Sequence, residues 1–279
     1  MVSTWVQPIN QAINGRFGSR LYGGAGMSAL EYASNLYLVI AGIFILSVTN
    51  VIFPRLSRLT AGGHEGEFWD TIRQTLGVCL FLVLPMSAGL TAVARPLISL
   101  IYGGGAFDAF STEITASALA WMSLGMTGYA VQNILSRAYF ARQQGRVPLI
   151  AGGGAILVNL LLCRALTHRF QVAGLALSSA IAATVYALLL LLPLQRSGER
   201  LLDSSTLADL GKAALAAAAM GLCVQAVQEG LTPLLPAGKA GEVLCLALCA
   251  GLGVVLYFVL ALLLRVREAR LVVSLIRKP

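Results

Sequence analysis

Several uninterrupted apolar runs of about 20 residues constrain this chain more than any other feature. A helix of that length crosses a hydrocarbon core of roughly 30 Å. Lipid offers no partner to a backbone N–H or C=O, so a crossing segment must satisfy its hydrogen bonds internally or in a closed barrel. The runs here are continuous rather than alternating, which selects helices. Composition agrees: only 11% of the 279 residues are charged and 57% are hydrophobic. A water-soluble domain carries about 25% charged residues. The sequence therefore predicts an all-α, polytopic integral membrane bundle with about eight transmembrane helices.

The first span is expected over about Ser3 to Tyr22 and is amphipathic. Trp5, Val6, Ile9, Ile13, Phe17 and Leu21 fall on one face, while Gln7, Asn10, Gln11, Asn14 and Arg16 occupy much of the rest. It reads either as a helix lying on the membrane surface or as a spanning helix whose polar side faces a water-filled cavity. The cavity is favoured, because polar groups at membrane depth are tolerated facing such interiors. Later spans are expected over about 28–53, 68–93, 113–139, 149–166, 172–194, 207–227 and 241–264. Pro85 should kink the third. The stretch Arg95 to Ser111, with Gly103-Gly104-Gly105, reads as a flexible connection.

The net charge of +8 lies mostly between the apolar runs. There it sets topology and meets anionic lipid headgroups, so no nucleic-acid partner is expected. Links rich in cations (Arg55, Arg58 and Arg73; Arg137, Arg142 and Arg146; Arg196, Arg200 and Lys212) alternate with poor ones (none near Gly23–Gly26; Arg95; Arg164 and Arg169; Lys239). The rich set and the tail (Arg265, Arg267, Arg270, Arg277 and Lys278) should be cytoplasmic, placing both termini inside. The start lacks a basic segment followed by an apolar one and a small-residue cleavage site. It reads as an entry into the middle of something longer.

Catalytic chemistry finds little support. There is no GxxxxGK[ST] phosphate loop, and Gly152-Gly153-Gly154 has no preceding strand and reads as a helix-packing surface. The cysteines (Cys79, Cys163, Cys223, Cys245, Cys249) lack CxxC spacing and read as small apolar residues. With only His64 and His168, both between spans, no metal or other cofactor is expected. Asp108 reads as a solvated loop acid. What remains are polar groups at membrane depth. Asn10, Asn14, Arg16, Arg20, Glu31, Asn35 and Asn133 are candidate cavity and substrate-binding residues, whereas Asn159 reads as an interhelical hydrogen-bonding residue. Arg16 and Arg20 would suit an anionic substrate such as a phosphate-bearing lipid.

Six stretches, in order, carry a family resemblance: Ser28–Asn35, Val51–Ser57, Leu84–Leu90, Arg95–Phe107, Arg137–Arg142 with Pro148, and Gly174–Ser178. Together they span about Ile9 to Leu194, and this pattern resembles the MurJ/MviN family of lipid II flippases, within the superfamily of multidrug, oligosaccharide-lipid and polysaccharide exporters. The resemblance implies a transporter, not an enzyme, in the bacterial cytoplasmic membrane, moving an undecaprenyl-diphosphate-linked peptidoglycan precursor to the outer leaflet by alternating access. The fourteen-helix family fold implies that residues 1–195 form the second six-helix lobe. Residues 196–279 would add the two closing helices and a basic tail. Lipid II, membrane lipids and a separate N-terminal lobe are the implied partners. At the position of the family's second-lobe cavity arginine stands Asn35, preceded by Ser34 where an Asp is common, and Arg16 is the candidate to restore the charge. The alternatives are an exporter of another undecaprenyl-diphosphate-linked oligosaccharide and a membrane fragment that transports nothing.

Overall fold

A computed structural model describes residues 5–196, 201, 204–232 and 238–269. Arg200 and the tail residues Arg270, Arg277 and Lys278 lie outside the described residues. Ten α-helices are found among those described: α1 (Val6–Gly18), α2 (Ala25–Tyr37), α3 (Ile43–Ala61), α4 (Glu65–Ala92), α5 (Ala94–Tyr102), α6 (Ala109–Leu124), α7 (Met126–Ala141), α8 (Arg146–Arg196), α9 (Ser204–Leu231) and α10 (Lys239–Leu263). Among the described residues, five stretches are long and apolar enough to cross a membrane: Tyr22–Ala61, Glu65–Ala92, Arg146–Leu194, Thr206–Leu231 and Lys239–Leu263.

The deviations from the expected spans have local causes. The first helix is 13 residues, about 20 Å, which is shorter than the expected Ser3–Tyr22 span. It ends at Gly18, and the chain turns into α2 through Tyr22, Gly23 and Gly24, which take positive φ. A π-helical turn over Leu38–Gly42 joins α2 to α3. The expected fourth span is broken at Gly125, where ψ falls to −2° and α6 gives way to α7. Most of the expected flexible connection Arg95–Ser111 is helix, its start lying in α5 and its end in α6, and only residues 103–108 form a turn. α4 runs through Pro85 as one helix.

The 51 residues of α8 are two helices joined at Gln171 (φ 50°, ψ −125°). Gly174 lies against Leu166 and Gly152 against Tyr186, so the two halves run antiparallel. The Tyr186 hydroxyl donates to the Pro148 carbonyl at 3.1 Å, tying the open ends of this hairpin together.

Links gather at two ends of the bundle. At one, Arg142, which caps α7, pairs with Glu65 at the start of α4 (3.0 Å). Its guanidinium also lies over Phe68 and Trp69, at 5.8 and 5.1 Å. At the other, Tyr22 packs edge-on against Phe110 (5.0 Å), and a Cβ at Gly26 would meet Val172 beside the α8 bend. There Asp108 caps α6, its Oδ1 accepting the Ser111 backbone N–H at 2.8 Å.

Helices in lipid gain little from hiding apolar surface, so close approach through small residues holds them together. Gly128 of α7 sits against the backbone of Ala183 and Thr184 in α8. In α10 every fourth residue from Gly241 is buried: Gly241, Cys245, Cys249, Gly253, Tyr257 and Ala261. Ala213, Ala217 and Gly221 supply the matching spacing in α9. Cys245 and Cys249 thus serve as small residues in a packing stripe. One core cluster extends from Ala29 to Leu201. A second joins Phe81 of α4 to α9, α10 and the segment through Ala269. The Tyr257 hydroxyl anchors it, donating to the Phe81 carbonyl at 2.7 Å.

A side chain at Gly128 would have its Cβ 2.7 Å from the Thr184 nitrogen, whereas a Cβ at Gly153 meets nothing within 4 Å. Gly128→Val should therefore cost about 1–3 kcal/mol through overpacking. Gly153→Ala should leave thermal stability in detergent unchanged or raised, since alanine is the better helix former. Equal losses in both would contradict this packing. The Asp108 cap adds a pH dependence, because the hydrogen bonds it accepts from Ser111 hold its carboxyl below the usual range. Its contribution is complete above the unfolded carboxyl pKa and fades as pH falls through the lower folded value. Asp108→Asn should flatten that acid-side loss in thermal melts.

Candidate functional site

Two helices carry polar residues at spacings that put them on single faces. In α1, Gln7, Asn10, Gln11 and Asn14 follow the i, i+3, i+4, i+7 pattern. In α7, Tyr129, Gln132, Asn133, Ser136, Arg137 and Phe140 do the same over three turns. The fold turns the two faces toward one cavity of about 500 Å³. Ser34 and Tyr37 of α2 and Ser179, Ala183 and Tyr186 of α8 complete much of its wall. Ligand sites commonly measure about 300–1,000 Å³.

At its base is a buried polar node. The Asn14 amide donates to Ser179 Oγ at 2.6 Å, and its Oδ1 accepts from Asn159 Nδ2 at 3.2 Å and from the Cys163 thiol at 3.2 Å. Asn159 is fully buried. This node joins α1 to both arms of the α8 hairpin, and Asn159 performs the interhelical bonding its setting suggested. On α7, Asn133 Nδ2 donates back to the Tyr129 carbonyl at 2.8 Å. Asn10 Oδ1 and Gln132 Oε1 are buried and have no hydrogen-bond partner among the described residues, which is uncommon inside a protein.

Of the seven candidate residues, the structure brings Asn10, Asn14 and Asn133 to this cavity. Arg16, Arg20, Glu31 and Asn35 are exposed and do not line it. Helix phase explains the split for α2, which buries Ala29, Leu30, Ala33, Leu36 and Tyr37 and turns Glu31 and Asn35 to the opposite side. Arg137 was counted among the link cations. It instead lies one turn inside the end of α7, on the cavity wall, with its guanidinium 5.7 Å from the centre of the Phe53 ring. Continuing the polar stripe of Gln132 and Asn133 by one turn would have found it.

A family model described as lipid II flippase MurJ matches residues 1–240. The chain belongs to the MurJ family. The probable lipid II flippase MurJ of Rhizobium meliloti (strain 1021) is 28% identical over 260 residues, covering 92% of this chain and 48% of that protein. That of Vibrio cholerae serotype O1 is 27% identical over 262 residues, 94% of this chain and 50% of its own length. The lipid II flippase MurJ of Thermosipho africanus (strain TCF52B) is 31% identical over 162 residues, 58% of this chain and 33% of that one. A solved structure of lipid II flippase MurJ in an inward closed conformation superposes with a TM-score of 0.75 at 24% identity, over 93% of this chain and 51% of the other. This likeness places the chain in the MurJ fold. The chain spans about half the length of the curated relatives it matches.

Within this MurJ-family bundle, the Asn14 node is a structural tie as well as a piece of cavity wall. In a double-mutant cycle, Asn14→Ala with Ser179→Ala should show coupling of about 0.6 kcal/mol and at most about 1.7 kcal/mol, the range of hydrogen bonds between membrane helices. Coupling indistinguishable from zero in thermal melts would contradict the node.

Proposed function

We propose that this chain works as the second lobe and closing helices of a lipid II flippase. Its role would be to carry the lipid-linked peptidoglycan precursor from the inner to the outer leaflet of a bacterial cytoplasmic membrane. The observation that carries this reading is the polar cavity, with Arg137 the one formal charge among its described lining residues, inside a bundle whose core is mostly apolar. A polar, hydrated recess lowers the cost of taking a phosphate–sugar headgroup through hydrocarbon, while the prenyl tail can remain in lipid. No bond to the substrate is made or broken, so the protein's task is binding and a change of access. The names borne by its MurJ relatives supply the substrate class.

In this reading residues 1–195 form one transport lobe and residues 196–279 a two-helix addition. The two core clusters, which meet across α4, support that division. Asn10, Asn14 and Asn133 would line the substrate route directly. Arg16, Arg20, Glu31 and Asn35 would join the route where a first lobe closes over the exposed side of α1 and α2. Both termini would be cytoplasmic. The Arg142–Glu65 pair supports this orientation, because it brings two cation-rich links to the same end of the bundle.

Growth of bacteria depleted of their own lipid II flippase tests the reading. Co-expression of this chain with a matching first lobe should restore growth, and the chain alone should restore less. If both fail while membrane insertion is verified, the lipid II assignment falls. Export of another lipid-linked oligosaccharide would then be scored by the surface glycan it restores.

A further inference from the structure

Resting on the transport reading above, we propose that Arg137 is the side chain of this lobe that receives the phosphate of a lipid-borne substrate. Among the described residues lining the cavity it is the sole formally charged one, and none of them is a carboxylate that would repel an anion. Four other basic groups are paired with carboxylates, Arg73 with Asp70, Arg95 with Glu113, Arg142 with Glu65 and Lys212 with Asp209, and cations such as Arg16, Arg20 and Arg146 are exposed and lie off the cavity wall. Arg137 pairs with no carboxylate among the described residues. Arg142 provides the contrast within one helix end, since five residues further on the same charge is neutralised by Glu65.

An unpaired cation within a membrane bundle is costly and is retained where it meets water or an anion. The Arg137 guanidinium carbon lies over the Phe53 ring, 5.7 Å from its centre, a cation–π contact that uses no N–H group. The guanidinium N–H groups form a planar fork that matches two oxygens of a phosphate. The amides of Gln132 and Asn133 lie one turn away on the same helix face, beside the group that would follow the phosphate.

The test uses the full chain in lipid nanodiscs and native mass spectrometry with three probes: undecaprenyl diphosphate, uncharged undecaprenol and inorganic diphosphate. Wild type should prefer the diphosphate lipid to the alcohol. Arg137→Gln should weaken diphosphate-lipid binding about tenfold or more, the scale of a lost charge-assisted bidentate contact, without changing undecaprenol binding. Arg137→Lys should recover part of the loss, because it keeps the charge without the fork. Arg146→Gln, which removes an exposed cation outside the cavity, should bind like wild type. Undiminished binding by Arg137→Gln, with wild type still preferring the diphosphate lipid, overturns the role of Arg137 alone. Wild type that binds lipid and alcohol equally overturns the transport reading with it. Inorganic diphosphate bound as tightly as the lipid would assign the guanidinium to a soluble anion and overturn the lipid-borne assignment.

Discussion

Hydrocarbon cannot hydrogen-bond, and the structure follows from that constraint. Every long apolar run is helical. The departures from regular helix need protein rather than lipid to receive freed backbone groups. The π-helical turn at Leu38–Gly42 has Ala41 and Gly42 buried, and its first residue borders the cavity. The break at Gly125 lies against Ala180 of α8 and also borders the cavity. Irregular backbone is thus placed where the bundle's polar interior or a neighbouring helix can take it.

Close packing and the cavity are complementary results of the same side-chain sizes. Where glycine and alanine face each other, as at Gly128 against Ala183 and Thr184, backbones nearly touch. Where amides and larger polar groups face inward, as along α1 and α7, the helices stand apart and leave space. The Asn14 node sits between these regimes. It fastens α1 to the α8 hairpin through polar contacts and still presents its helix's polar face to the recess.

Much of this was legible because periodicity survives in sequence. The polar face of α1 could be read from Gln7, Asn10, Gln11 and Asn14, and the closing helices from their uninterrupted apolar runs. The site was read less completely. Which way α2 turns its polar side depends on what its buried face packs against, and that left Glu31 and Asn35 outside the cavity. Arg137 sits near a helix end, where a cation signals topology as readily as function, and only the position of Phe53 and the cavity wall separates the two. The break at Gly125 and the helix after Ala94 depend on tertiary contacts that local propensity does not report.

Solvent access to the polar recess tests the central claim most directly. In a background with the five cysteines replaced, Asn10→Cys and Asn133→Cys would be exposed to a membrane-impermeant maleimide, with Leu157→Cys on an outward-facing surface of α8 as the comparison. A water-filled cavity predicts labelling at Asn10 and Asn133, suppressed by prior exposure to a polyprenyl diphosphate, and little at Leu157. Labelling no greater at the two cavity positions than at Leu157 would mean the recess is dry, and the account of this lobe as a headgroup path would be wrong.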